Sequence, residues 1–189
     1  MQEAMFTDFK AQVTPRKRPR IHDDNIQEQA IDKFMPKFSK WCQQDSEEEL
    51  EAIKEELMER IDYGSDACEI MSDLKSYNCW SVDRDLLDLI EDTQHEMWEV
   101  YHREVKKWVK EQYIELEHAV GTNVKAKQGL FDKEFVGEII RLDPEEGTYL
   151  VFCEALGHVR ESEPMKSGMR TTGTYVNCED IVEVVHGNN

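Results

Sequence analysis

Long apolar runs are missing from this chain. No stretch approaches the roughly 20 consecutive apolar residues needed to cross a bilayer, and no apolar h-region stands at the N-terminus. Hydrophobic residues make up 39% of the sequence and the mean hydropathy is −0.71. A membrane association is therefore not expected, and the expected location is intracellular, nuclear or cytoplasmic. Cysteine is present without a pattern: Cys42, Cys68, Cys79, Cys153 and Cys178 are odd in number, widely spaced and never C-x-x-C. That spacing speaks against a disulfide framework and for reduced thiols. The chain also lacks a phosphate loop, a dinucleotide fingerprint and a nucleophile elbow. An enzyme is not expected, and neither is a cofactor or a metal. Proline and glycine are absent from Val82 to Ala119, 38 positions, which leaves room for an unbroken helix of about 57 Å.

Positive charge is also scarce. Lys and Arg number 23 against 41 Asp and Glu, for a formal net charge of −18. The imbalance is uneven. Residues 1–22 hold five basic and two acidic side chains, or +3, whereas 46–99 hold 18 acidic and four basic, or −14. A field of that sign repels duplex nucleic acid and attracts basic partners.

The order of the chain follows from these contrasts. Residues 1–23 read as a flexible basic arm centred on Pro15-Arg16-Lys17-Arg18-Pro19-Arg20. Its prolines oppose a helix, and Arg16, Lys17, Arg18 and Arg20 suit an import receptor, a phosphate or the chain's own acidic segment. Residues 24–119 read as an acidic helical domain. Asn25 and Glu28 form an expected capping box before the row Ile26, Ala30, Phe34, Phe38, with Pro36 expected to break or kink that helix. Ser46 with Glu49 is a second capping box, opening a helix through Leu50, Ile53, Leu57 and Ile61. A shorter helix through Ala67, Ile70, Met71 and Leu74 follows. The long helix then bridges the two halves, with Ser81 as the expected N-cap and Gly121 as the residue beyond its end. Its apolar positions form two rows, so it is expected to be covered on more than one side.

After Gly121 the period changes from helical to strand-like. Val120–Lys127, Phe135–Leu142, Thr148–Glu154, Thr174–Cys178 and Ile181–Val185 are alternating or β-branched runs, and Asp143-Pro144-Glu145-Glu146-Gly147 supplies a turn. Five short strands in so few residues imply a small antiparallel barrel. The expected fold class is therefore α+β, a helical bundle whose long helix leads into a barrel at 120–186, with 187–189 as a tail. Gly121-Thr122-Asn123-Val124-Lys125-Ala126, Gly137-Glu138-Ile139, Tyr149-Leu150-Val151-Phe152 and Glu179-Asp180-Ile181 together resemble the SH3-like barrels of the Tudor and KOW type. The resemblance implies recognition of a methylated side chain in an aromatic cage, or contact with RNA or a polymerase subunit. Under it, Phe131, Phe135, Tyr149, Phe152 and Tyr175 are the binding candidates. The insertion from His158 to Thr172 departs from the compact pattern.

Two E-x-x-H spacings, Glu99/His102 and Glu115/His118, match half of a di-iron carboxylate site. Both are expected on one helix, so a single chain does not bring them together. His158, among charged neighbours, is read as a surface hydrogen-bonding histidine. The reading that results is a non-enzymatic binding or regulatory protein. Its acidic docking face comprises Glu47, Glu48, Glu51, Glu55, Asp62, Asp88, Glu91 and Asp92, for a basic protein or peptide partner, and its barrel recognises a peptide or nucleic-acid component. Nucleic acid is expected only at the barrel or the basic arm, and a homo-oligomer through the long helix is a further expectation. The alternative reading is an acidic nucleic-acid mimic that inhibits a DNA- or RNA-binding protein. A metal-dependent enzyme is the third class.

Overall fold

The computed structural model describes residues 16–44, 46–78, 80–128, 133–158 and 172–185. They form two compact units, Arg16–Trp108 and a second from Val109 onward. In sequence order there are four helices and then five strands in one antiparallel sheet. The chain is α+β, helices first.

In the first unit α1 (Asp24–Cys42), α2 (Glu47–Arg60), α3 (Ala67–Tyr77) and α4 (Arg84–Glu111) share one core. The α1 row Ile26, Ala30, Phe34 and Phe38 is buried there, with Leu57, Ile61, Ile70, Leu74, Leu86 and Ile90. Ile53 packs at its margin, and Leu50 is half-buried. Pro36 lies inside α1 and does not end it. A proline in a helix interior costs about 3 kcal/mol, but burying both Phe34 and Phe38, on either side of it, contributes about as much per ring. The Asn25 capping box does not form. Asp23 precedes the first turn instead, and its carboxylate accepts from the Arg20 backbone N–H at 2.8 Å. Ser46 does stand at the start of α2, without a side-chain capping bond. Asp66 caps α3 by accepting from Cys68 and Glu69 N–H.

The long helix differs from its expected limits at both ends. Asp83, not Ser81, caps it, its Oδ1 accepting from Leu86 N–H at 2.9 Å. It stops at Glu111, where Tyr113 takes a φ of +54° and Ile114 N–H bonds back to Val109 O. The absence of Pro and Gly permitted a longer helix, but Leu116 is drawn into the core of the second unit, which outweighs continuation. None of the described helices is long and apolar enough to cross a membrane.

The second unit holds β1 (Asn123–Gln128), β2 (Lys133–Asp143), β3 (Thr148–Phe152), β4 (Thr174–Asn177) and β5 (Ile181–Val184). Their order in the sheet is β4-β3-β2-β1-β5. The first four strands form a meander, and β5 returns to the free edge of β1 after a 3-10 turn at Cys178–Asp180. The Asp143–Gly147 turn joins β2 to β3, with Glu146 N–H on Asp143 Oδ1. Every residue of β3 is buried, so both faces of this strand are covered. Val124, Ala126, Phe135, Ile139, Tyr149, Val151 and Val176 make the core. Residues 159–171 of the expected insertion, and the tail, lie outside the described residues.

Candidate functional site

All eight residues of the expected acidic face are exposed on α2, α4 and the loop after α2. Two have partners inside their own unit: Asp62 Oδ1 lies 2.8 Å from His22 Nδ1, and Asp92 lies 3.5 Å from Lys37 Nζ. Among the described residues, Glu47, Glu48, Glu51, Glu55, Asp88 and Glu91 have no cation partner. Two lysines of the unit pair with other carboxylates. Lys54 bridges α2 to Asp32 and Glu28 of α1 at 2.7 and 2.9 Å, and those two hydrogen bonds hold its ammonium above the usual lysine range. Lys33 takes Glu96, the one buried carboxylate among the described residues.

The described part of the basic arm is not free. Trp108 Nε1 donates to the Arg16 carbonyl at 2.9 Å, and the Arg18 guanidinium sits 4.9 Å from the centre of the Trp108 ring. Residues 1–15 of the expected arm lie outside the described residues. We expect Trp108→Ala to speed tryptic cleavage at Arg16–Arg20 several-fold, because it removes both the hydrogen bond and the cation–π contact. Timed digestion followed by mass spectrometry measures this; an unchanged rate refutes the docked arrangement.

Among the described residues, the aromatic candidates of the sheet unit do not converge on an open cage. Tyr149, Phe135 and Phe152 are buried, and Phe131 lies outside the described residues. Tyr149 is a structural residue: its hydroxyl accepts from His118 N–H at 3.2 Å, and burial pushes its phenol above the ordinary tyrosine range. Of the described candidates only Tyr175 is exposed, at 59%, with the Arg141 guanidinium over its ring and hydrogen-bonded to its hydroxyl. Phe152 and Tyr149 lie on opposite faces of β3, and both faces are covered.

His158 and His102 have structural surroundings. His158 Nδ1 accepts from Cys153 N–H at 2.9 Å and its Nε2 lies 3.2 Å from Thr174 Oγ1, tying the end of β3 to the start of β4. His102 packs edge-on to Trp98, itself stacked on Tyr63. Glu99 instead lies by His95. Among the described residues no three His, Cys, Asp or Glu side chains are grouped as a metal site.

One constellation has no counterpart among the motifs of the sequence. Trp41 at the end of α1 stacks on Trp80, which precedes α4, at 5.6 Å between ring centres and 28° between planes. Trp41 Nε1 donates to both oxygens of Asp83, at 3.0 and 3.2 Å, and Trp80 Nε1 donates to Glu56 Oε2. A shallow, open depression of about 350 Å³ lies beside the pair. The only sequence signal is the two tryptophans themselves, and at helical spacing they read as core. Comparison with protein-family models, with curated proteins and with solved structures finds no match to this chain.

Proposed function

We propose that this chain is a non-enzymatic binding protein whose acidic helical unit docks a basic protein or peptide, while its sheet unit, an SH3-like barrel, recognises a peptide or nucleic-acid component. The observation that carries the first half is the set of six exposed carboxylates on α2 and α4 without a cation partner among the described residues. The barrel reading is supported by the meander order, the return of β5 to β1 and the 3-10 turn before it. Tyr175, with Arg141 beside it, is the aromatic best placed to meet a ligand of the sheet unit.

The test is reversal of charge at Glu51, Glu55, Asp88 and Glu91 to Lys. These four avoid the first turns of α2 and α4, where carboxylates favour the helix dipole. Each exposed ion pair contributes only about 0–1 kcal/mol, so no single residue dominates. Acting together, they set the encounter rate. The reversed protein is expected to associate several-fold more slowly with a fluorescent oligo-lysine peptide at low salt. The difference should close as ionic strength brings screening down to about 8 Å or less. Stopped-flow mixing across a salt series reads it. Equal rates and equal salt slopes would reduce the acidic face to a solvated surface.

A further inference from the structure

The structure assigns a second element to that docking surface: we propose that the cavity beside Trp41 and Trp80 receives the cationic head of a lysine or arginine side chain presented by a basic peptide. The inference rests on the acidic-docking reading for its choice of partner, and on the cavity's own chemistry for its choice of group.

The walls come from three places. The end of α1 gives Trp41 and Cys42, α2 gives Ile53, and the segment before α4 gives Trp80 and Asp83. The two tryptophans are only half-buried; they pack on the helical core from one side and line the cavity from the other. Both indole N–H groups are already spent on carboxylates. What remains to a ligand is the part of each indole that neither the other ring nor the core covers, and an indole face carries negative potential that attracts cations.

The carboxylates fix the sign. Asp83 Oδ1 accepts from both Leu86 N–H and Trp41 Nε1, Oδ2 takes the longer, 3.2 Å arm of the Trp41 bond, and the Asp85 backbone N–H also donates to the carboxylate. What the carboxylate offers an incoming cation is its charge and its exposure to solvent rather than an unused acceptor position. The Leu86 N–H and the Trp41 indole also hold the Asp83 carboxyl below the usual carboxylate range, so it is anionic at neutral pH. No cation pairs with Asp83 or Glu56 among the described residues. An anion would be repelled here, and an apolar group would cover part of an exposed carboxylate without pairing its charge. A volume of about 350 Å³ is at the small end of ligand sites and holds a side-chain head with part of its stem. The surrounding charge of −14 over residues 46–99 favours delivery by a basic peptide.

The experiment follows the four indole N–H resonances of the full chain by ¹H–¹⁵N NMR, assigned through single Trp→Phe variants. The ligands are acetylated, amidated Gly-Arg-Gly and Gly-Lys-Gly, with Gly-norleucine-Gly as the uncharged control. Trp41 and Trp80 are expected to shift and saturate with the charged peptides, with Trp98 and Trp108 unmoved and the control silent. Asp83→Asn keeps an acceptor for Leu86 N–H and for the indole while removing the charge, and should weaken binding several-fold. Trp80→Phe, which keeps a stacked ring, should weaken it also and serves if the Asn variant does not fold.

Equal shifts at all four indoles, shifts with the norleucine peptide, or unchanged affinity in both variants would overturn the cavity as a cation site. If oligo-lysine still associates in a way that depends on Glu51, Glu55, Asp88 and Glu91 while Trp41 and Trp80 stay silent, the cavity proposal falls and the docking face stands. If the two indoles respond but charge reversal leaves oligo-lysine association unchanged, the cavity stands and the docking face falls.

Discussion

Gly137→Ala is expected to unfold the sheet unit and leave the helical unit folded. Gly137 stands opposite Val124 in the β1–β2 ladder, on the buried side of β2. A methyl group there would lie 2.6 Å from Val151 Cγ1 and closer still to the backbone carbonyl oxygen of Phe152. The side chain could yield, but the carbonyl belongs to β3, whose residues are all buried and whose register is fixed on both sides. Overpacking a core by one methyl group commonly costs about 1–3 kcal/mol, and against immovable backbone the cost is about 3 kcal/mol or more. The reason is space, not torsion: Gly137 does not take a positive φ, unlike Gly64, Gly121, Gly147 and Gly157. All four tryptophans lie in Arg16–Trp108, so denaturation followed by tryptophan fluorescence reports on that unit alone. The variant should keep the wild-type fluorescence midpoint while the amides of Ile139 and Val151 lose their protection from hydrogen exchange. Retained protection at those amides would show that the sheet accommodates the methyl group.

The complementary result is expected from Phe38→Ala. Phe38 is fully buried at the end of the Ile26–Ala30–Phe34 row, two residues past Pro36. Truncating a buried phenylalanine costs about 3–5 kcal/mol through lost transfer energy and the cavity left behind. Here the loss also removes part of what offsets the proline, so the last turn of α1, which carries Trp41, should loosen with it. Fluorescence-detected denaturation should show the midpoint falling sharply, with exchange protection at Ile139 and Val151 unaltered. A loss below about 1 kcal/mol would mean that the row after Pro36 contributes little, contrary to its burial.

The two substitutions also separate what is legible in the sequence from what is not. Element types are readable because they depend on neighbours in sequence. The i, i+4 row of α1 and the alternation at Phe135, Gly137 and Ile139 each follow from a period of a few residues. The change of period near Gly121 separates the helices from the strands, and the D-P-E-E-G turn stands where its composition places it. Exposure of the acidic face is equally legible, because carboxylates in numbers too large to pair with the available lysines stay in water.

What the sequence by itself determined, then, is an α+β chain, helices before strands, with a strongly negative helical half. Tertiary structure decided the rest, because each remaining question concerned residues far apart in the chain. It kept Pro36 inside α1, since burial on either side outweighs one missing hydrogen bond. It ended α4 at Glu111, because Leu116 packs with the strands. It placed Tyr149 and Phe152 in the core and left Tyr175 outside, a distinction between faces that no local alternation expresses when a strand is covered on both. It laid Arg18 on Trp108, and it set Trp41, Trp80 and Asp83 around one cavity. Local periodicity assigns each residue a side of its own element, whereas only the packing of the elements determines what lies on that side.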